Sequence, residues 1–271
     1  MPAAVSEWSN LILRWIHVFV GILWIGQTYY FTKLDQRLTA EERAPRAGGG
    51  PAQVWMVHSG GFFIAERQST PKLLPTKLHW FRWEALLTWI SGFLLLGLLY
   101  YSDGLLLDSS VAQISMGTGV AIGIGTLIVG WIVYDVLWLS PLGRAPVVGG
   151  TICYLLTVAL GYGLTHVLSG RAAYMHIGAL FGTIMSANVW VRILPASRKM
   201  LKAVKRGQQP DMTLGTRAKA RTIHNTYISF SVIFLMISNH FPGTYGSSYN
   251  WLILSALILA GGIAAKLVYY V

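Results

Sequence analysis

Cysteine and charge are what this chain has least of. A single cysteine, Cys153, leaves no disulfide partner and no Cys-based metal or covalent haem site. Only 11% of the residues are charged, where a soluble domain carries roughly a quarter, so the chain cannot clothe a water-facing surface. Acidic groups are scarcer than basic ones, 10 against 21, for a net charge of +11. With 54% of residues hydrophobic and 13% aromatic, disordered and fibrous classes are excluded as well. An integral membrane protein remains.

A spanning helix needs about 20 mostly apolar residues. Seven segments qualify, approximately Asn10–Thr32, Glu84–Tyr101, Gln113–Leu139, Pro146–Ser169, Ala172–Leu194, Thr222–Phe241 and Trp251–Val271. The expectation is an all-α bundle of about seven transmembrane helices, one domain over residues 1–271. Asn10–Thr32 lacks the basic start and small-residue cleavage site of a signal peptide. Glycines inside the spans, such as Gly123, Gly161 and Gly261, suit close helix contacts in lipid. No internal repeat or pair of inverted halves is visible, which disfavours a transporter.

The basic residues give orientation. Eight lie between the first two spans and nine between the fifth and sixth, leaving four of the 21 elsewhere. An odd–even count puts both loops on one side, so the N-terminus is expected outside and the C-terminus inside. That placement accounts for the positive charge without nucleic acid. The first inner loop, residues 33–83, is long, and its second half is apolar and aromatic. It reads either as an interfacial segment with tryptophans at headgroup depth or as a cap over a site at the inner mouth of the bundle.

Ionisable residues within a bilayer are costly and are functional candidates by default. Of the seven histidines, His17, His166, His176 and His240 fall near the outer face, and His58, His79 and His224 near the inner face. Two layers of imidazole are the pattern of a b-type cytochrome, in which facing helices hold non-covalent haem. The competing reading is histidines that only hydrogen-bond between helices. Depth favours His17 with His176 as a ligand pair, because both lie one to two helical turns below the surface. His166 and His240 lie nearer the headgroups. A non-haem metal would want carboxylates, and only Glu84 and Asp135 lie in or at the spans.

Three stretches carry a family resemblance: Leu78-His79-Trp80-Phe81-Arg82-Trp83-Glu84; His176-Ile177-Gly178-Ala179 leading to Asn188-Val189-Trp190; and Arg221-Thr222-Ile223-His224-Asn225-Thr226-Tyr227 followed by Met236-Ile237-Ser238-Asn239-His240. Together they resemble the membrane domain of the cytochrome-c-linked, membrane-bound urate oxidases, also called urate hydroxylases, over essentially the whole chain. The resemblance implies a bacterial inner-membrane oxidoreductase that uses one or two haem b groups and passes electrons to a cytochrome c or the respiratory chain. That family carries a further span and a cytochrome c domain after its membrane domain. No Cys-x-x-Cys-His occurs in these 271 residues, so the acceptor is expected on a separate chain. The alternative is a non-catalytic cytochrome or structural subunit of a larger membrane complex.

Urate is a planar anion at neutral pH, so its site should offer cations, hydrogen-bond donors and stacking surfaces. The inner layer supplies Arg82 and Arg221 as cations, His79 and His224 as bases, Asn225 as a hydrogen-bonding group and Trp80 as a stacking surface. Headgroup anchoring explains the same arginines equally well.

Overall fold

In the computed structural model, described over residues 3–44, 51–68 and 77–270, the apolar runs form a bundle of long helices. They are α1 (Ala3–Arg43), α2 (Trp83–Leu96), α3 (Met116–Leu139), α4 (Pro146–Thr165), α5 (Gly170–Ala187), α6 (Leu194–Lys205), α7 (Met212–Ser238), the short α8 (Pro242–Tyr245) and α9 (Asn250–Tyr270). Starts are set by local chemistry. Ser115, Ser169 and Asp211 accept the backbone N–H of Thr118, Ala172 and Thr213, and Pro146 opens α4 where its missing N–H costs nothing.

Six helices among the described residues are long and apolar enough to cross a membrane, the chain being a multi-pass membrane protein. The seventh expected span, on α7, falls outside that group. Its buried residues include Arg221, Asn225, Thr226, Ser229, Ser231 and Ser238, so it is too polar to be recognised by hydropathy. Such a helix is tolerated because α5, α6 and α9 surround it and supply partners that lipid cannot. Ser231 Oγ, for example, donates to the Ile258 carbonyl at 3.1 Å. Gly261 permits that approach, since a Cβ there would lie 2.5 Å from Ser231 Oγ.

Two helices run past the expected spans. At 41 residues α1 is about 60 Å long, twice the hydrocarbon thickness. Hydropathy ends at Thr32, but residues 33–43 are mostly good helix formers and the helix continues through them. The fifth span continues as one rod from Gly170 to Lys205. Its middle, Asn188–Ile193, is a π-helical turn immediately before Pro195. A proline there removes a helical N–H and crowds the preceding turn, and the widened turn absorbs both effects.

Among the described residues after α1, part of the long inner loop is regular. Strands β1 (Gln53–His58) and β2 (Gly61–Glu66) form an antiparallel hairpin in which Val54 pairs with Ala65 and Val57 with Phe62. Ser59 and Gly60, both at positive φ, make its turn. The hairpin leans on α1: Arg67 is paired with Asp35 and Glu42. Lys219 of α7 reaches the same Asp35 at 2.7 Å, which puts the two basic loops at one end of the bundle. At the opposite end Tyr174 Oη donates to the Asn250 carbonyl at 2.6 Å, and Arg171 and Tyr100 both donate to Asn239 Oδ1.

Candidate functional site

A cleft of about 1930 Å³ opens between α3, α4, α7 and α9 and runs toward the basic end. Its inner wall includes Tyr134, Trp138 and His224, and its basic rim includes Arg144, Lys199 and Arg217. Among the described residues, Asp135 is the carboxylate tied to this wall, and it is already paired. Arg192 pairs with it, and Arg221 Nη2 donates to its Oδ1 at 2.9 Å. Asp135 and Arg221 are both buried, and burying such a group is tolerable only in a hydrogen-bonded pair of this kind. Arg221 also lies 5.0 Å over the Tyr134 ring, and its buried Nη1 has no hydrogen-bond partner among the described residues.

Beside this ion cluster runs a neutral network. Asn188 Nδ2 donates to Tyr134 Oη at 3.0 Å and to Asn225 Oδ1 at 2.9 Å. Asn225 Nδ2 in turn donates to the Met185 carbonyl at 3.0 Å. Tyr134 Oη lies 2.8 Å from His224 Nδ1. Because that hydroxyl already accepts from Asn188, its own proton is best placed on His224 Nδ1, leaving His224 Nε2 as the other proton-carrying position. The Trp138 ring lies tilted against His224 with centroids 4.1 Å apart, and its buried indole N–H lies against the Cys153 thiol. The cleft wall is thus lined by Arg221 and Trp138, whose Nη1 and Nε1 atoms are themselves covered, by an imidazole with a hydrogen-bonded partner behind it, and by aromatic faces.

Of the inner residues named from sequence, the structure brings together Arg221, His224 and Asn225, with Asn225 behind the wall as a support. His79, Trp80 and Arg82 are elsewhere. His79 is exposed and packs edge-on against Phe81, which packs against Phe31 of α1. Trp80 rests on the small core of Trp24, Ala85, Met185, Val189 and Leu194. The Arg82 guanidinium lies 5.2 Å from the Trp83 ring and 5.9 Å from the Trp190 ring. None of the three lines the cleft, and neither does any described residue of the 33–83 loop. Tyr134, Trp138 and Asn188 are the additions that sequence reasoning did not place at the site. Their signal was faint: polar or amphipathic residues inside spans of otherwise aliphatic character.

The outer histidines are not brought together. His17 Nδ1 lies 3.0 Å from the Thr88 carbonyl and 3.1 Å from Ser91 Oγ, against Gly92 of α2. His176 is fully buried, with Nδ1 2.8 Å from the Ala172 carbonyl and Nε2 3.1 Å from Tyr101 Oη. α2 lies between the two: it meets α1 at Thr88 and Ser91, and α5 where Trp89 Nε1 donates to Thr183 Oγ1. Both ring nitrogens of His176 are therefore engaged, and His17 and His176 do not fit a single porphyrin as a facing pair. His17 keeps an Nε2 without a hydrogen-bond partner among the described residues and has the carbonyl-fixed Nδ1 usual in an iron ligand. His166 and His240 are exposed at the end of the bundle away from the basic loops, with His166 tilted against Tyr162. Among the described residues no group of three or more His, Cys, Asp or Glu could hold a metal ion.

Comparison with known proteins adds one result. Residues 3–271 match the model of a family described as urate oxidase N-terminal, and the chain belongs to that family. No curated protein and no solved structure matches it.

Proposed function

We propose that this member of the urate oxidase N-terminal family binds urate, or a closely similar planar oxyanion, in the cleft beside His224 and oxidises it. The observation that carries the reading is the pairing state of the wall. Asp135 is shared by Arg192 and Arg221, and the buried Arg221 Nη1 still has no hydrogen-bond partner among the described residues, so a turn of that side chain toward the cleft would give a ligand oxygen a donor. Unsatisfied buried donors cost free energy, and a ligand oxygen would recover it. An anion is further favoured by the cations of the rim.

Urate hydroxylation joins oxygen from water to a ring carbon while two electrons and two protons leave. In this cleft the ring would lie against Trp138 and Tyr134, with its oxygens toward Arg221 and His224. Carrying its proton on Nε2, His224 would donate it to a urate oxygen, while Tyr134 Oη, 2.8 Å from Nδ1, holds the ring's orientation and can pass a proton to it. Asn188 and Asn225 keep Tyr134 in place. The electrons require an acceptor: a cytochrome c or another respiratory carrier on a separate chain, within a bacterial inner membrane. Haem b is the carrier expected between cleft and acceptor, supplying one-electron transfer when bound, and His17 is the best-prepared single ligand for it.

The test is equilibrium dialysis of purified protein with radiolabelled urate, alongside urate-dependent reduction of added cytochrome c by membranes containing the chain. The expected result is binding that Arg221→Gln and His224→Ala weaken about tenfold or more, with reduction lost in both. Urate binding and turnover that survive both substitutions would remove the cleft from the reaction. If binding survives and reduction is absent in every form, the non-catalytic subunit reading replaces the enzyme.

A further inference from the structure

The hairpin 53–66 presents two faces of different fate. Val54, Met56, Phe63 and Ala65 share the face toward α1, where Val54 is buried and Phe63, near the turn, is still half exposed. The other face carries Trp55, Val57, Phe62 and Ile64, exposed by 64%, 70%, 77% and 50%. Four large apolar residues on one face of a two-stranded ribbon are not left in water without a cover.

Two contacts fix how the ribbon lies. Tyr30 Oη donates to Met56 Sδ at 3.3 Å, and Arg67 reaches Asp35, Thr39 and Glu42. From Tyr30 to Thr39 is about 13 Å along a helix, and from Met56 to the level of Arg67 is about 13 Å along a strand pair. Ribbon and helix therefore run side by side, with the Ser59–Gly60 turn pointing back toward the apolar part of α1. The turn reaches roughly 10 Å beyond Tyr30 in that direction, next to a helix whose own Ile22, Leu23 and Phe19 are exposed. The apolar face of the hairpin continues the lipid-facing surface of α1.

Between hairpin and helix is a groove of about 400 Å³, lined by Tyr29, Tyr30, Lys33, Arg37, Val54 and Met56 among others. Among the described residues no carboxylate lines it. Asp35, the acidic residue between the two cations in sequence, is paired with Arg67 and Lys219. Lys33 and Arg37 make no ion pair among the described residues. The groove therefore combines two unneutralised cations with two phenolic rings at the end of a spanning helix, the composition of a headgroup layer.

We infer that the 53–66 hairpin is a membrane-interface anchor, and that Lys33 and Arg37 beneath it hold the headgroup of an anionic phospholipid. The base of the ribbon, by Arg67, lies at headgroup depth, where water reaches its two unpaired edges, and the apolar turn end dips toward the acyl chains. Its apolar face meets the acyl chains, and the groove meets the phosphate.

Spin labels and lipid retention test the two halves separately. A nitroxide at Phe62→Cys, in a Cys153→Ser background, is examined in phosphatidylglycerol-containing nanodiscs by power saturation, with Gln68→Cys as the water-exposed comparison. The expected result is relaxation by oxygen in excess of a nickel chelate at Phe62 and the reverse at Gln68. Chelate access at Phe62 equal to that at Gln68 would put the hairpin in water and overturn the anchor. Protection from both agents would mean that protein covers the face, with spin–spin broadening identifying a second copy, and would overturn it equally. Native mass spectrometry of the detergent-purified chain should show phosphatidylglycerol retained over phosphatidylcholine, the preference falling about fivefold per charge in Lys33→Ala and Arg37→Ala. It should return in the exchange variant Lys33→Arg with Arg37→Lys. Retention that ignores the alanine substitutions would overturn the headgroup site.

Discussion

Asn188 Nδ2 donates to Asn225 Oδ1 at 2.9 Å, and this one bond joins the π-helical turn after α5 to the middle of α7. Asn188 is fully buried and Asn225 nearly so. The same Asn188 amide supports Tyr134, so one residue connects three helices and sets the hydroxyl that faces His224. Replacing Asn188 by Ala leaves Tyr134 and Asn225 short of partners in a dry site. The expected loss is about 1–3 kcal/mol of stability, read as a lower thermal midpoint in detergent, together with weaker urate binding.

Asp135 is the keystone of the ion cluster, and its two arginines differ in how they can respond to its loss. The Arg192 side chain is 34% exposed and can turn to water, whereas that of Arg221 is 7% exposed and cannot. Asp135→Asn should therefore destabilise the chain by about 3–5 kcal/mol, the range for one partner left charged and buried. Removing the acid and both cations together should restore much of the loss. A thermal-melt comparison of the single and triple variants checks both statements.

Tyr134→Phe separates chemistry from packing. The ring stays under Arg221, so the cation–π contact survives, while the hydroxyl beside His224 is removed. If the proton passes through His224 as proposed, urate-dependent reduction should fall roughly 10²-fold, with the thermal midpoint moving less than in Asn188→Ala. Steady-state kinetics and a melt on the same preparation decide it, and unchanged turnover would remove Tyr134 from the reaction.

Gly123 of α3 packs directly against the fully buried His176. A Cβ there would lie 2.5 Å from His176 Nε2 and 2.8 Å from Tyr101 Oη, with no soft atom to yield. Gly123→Ala should cost about 1–3 kcal/mol by overpacking. Gly125→Ala, two residues on with nothing within 4 Å, should be neutral or slightly stabilising in the same melt.

Much of the site was within reach of the sequence, and the unread part has a definite character. Arg221, His224 and Asn225 stand in one short run, so their association required no tertiary knowledge. Tyr134 and Trp138 sit on a helix nearly a hundred residues away, and nothing local says which way they face. The hairpin was readable in principle: apolar residues flank Ser59-Gly60, a two-residue turn pattern. Its aromatics instead argued for an interfacial segment or a cap, because they lack the polar alternation of a half-buried strand. His79, Trp80 and Arg82 were drawn to the site by shared depth, and depth does not determine azimuth.

What the chain alone determined is one-dimensional. Apolar run length and the crowding of basic residues on two loops set which segments enter lipid and which loops share an end, since the cost of putting charge into hydrocarbon depends on composition along the chain. Which side of each helix meets which neighbour was decided only by packing: α2 inserted between His17 and His176, α7 enclosed by α5, α6 and α9, and Asp135 of α3 set against Arg192 and Arg221. Those choices turn on side-chain shape and the pairing of buried polar groups across distant segments, and no property of a single stretch encodes them.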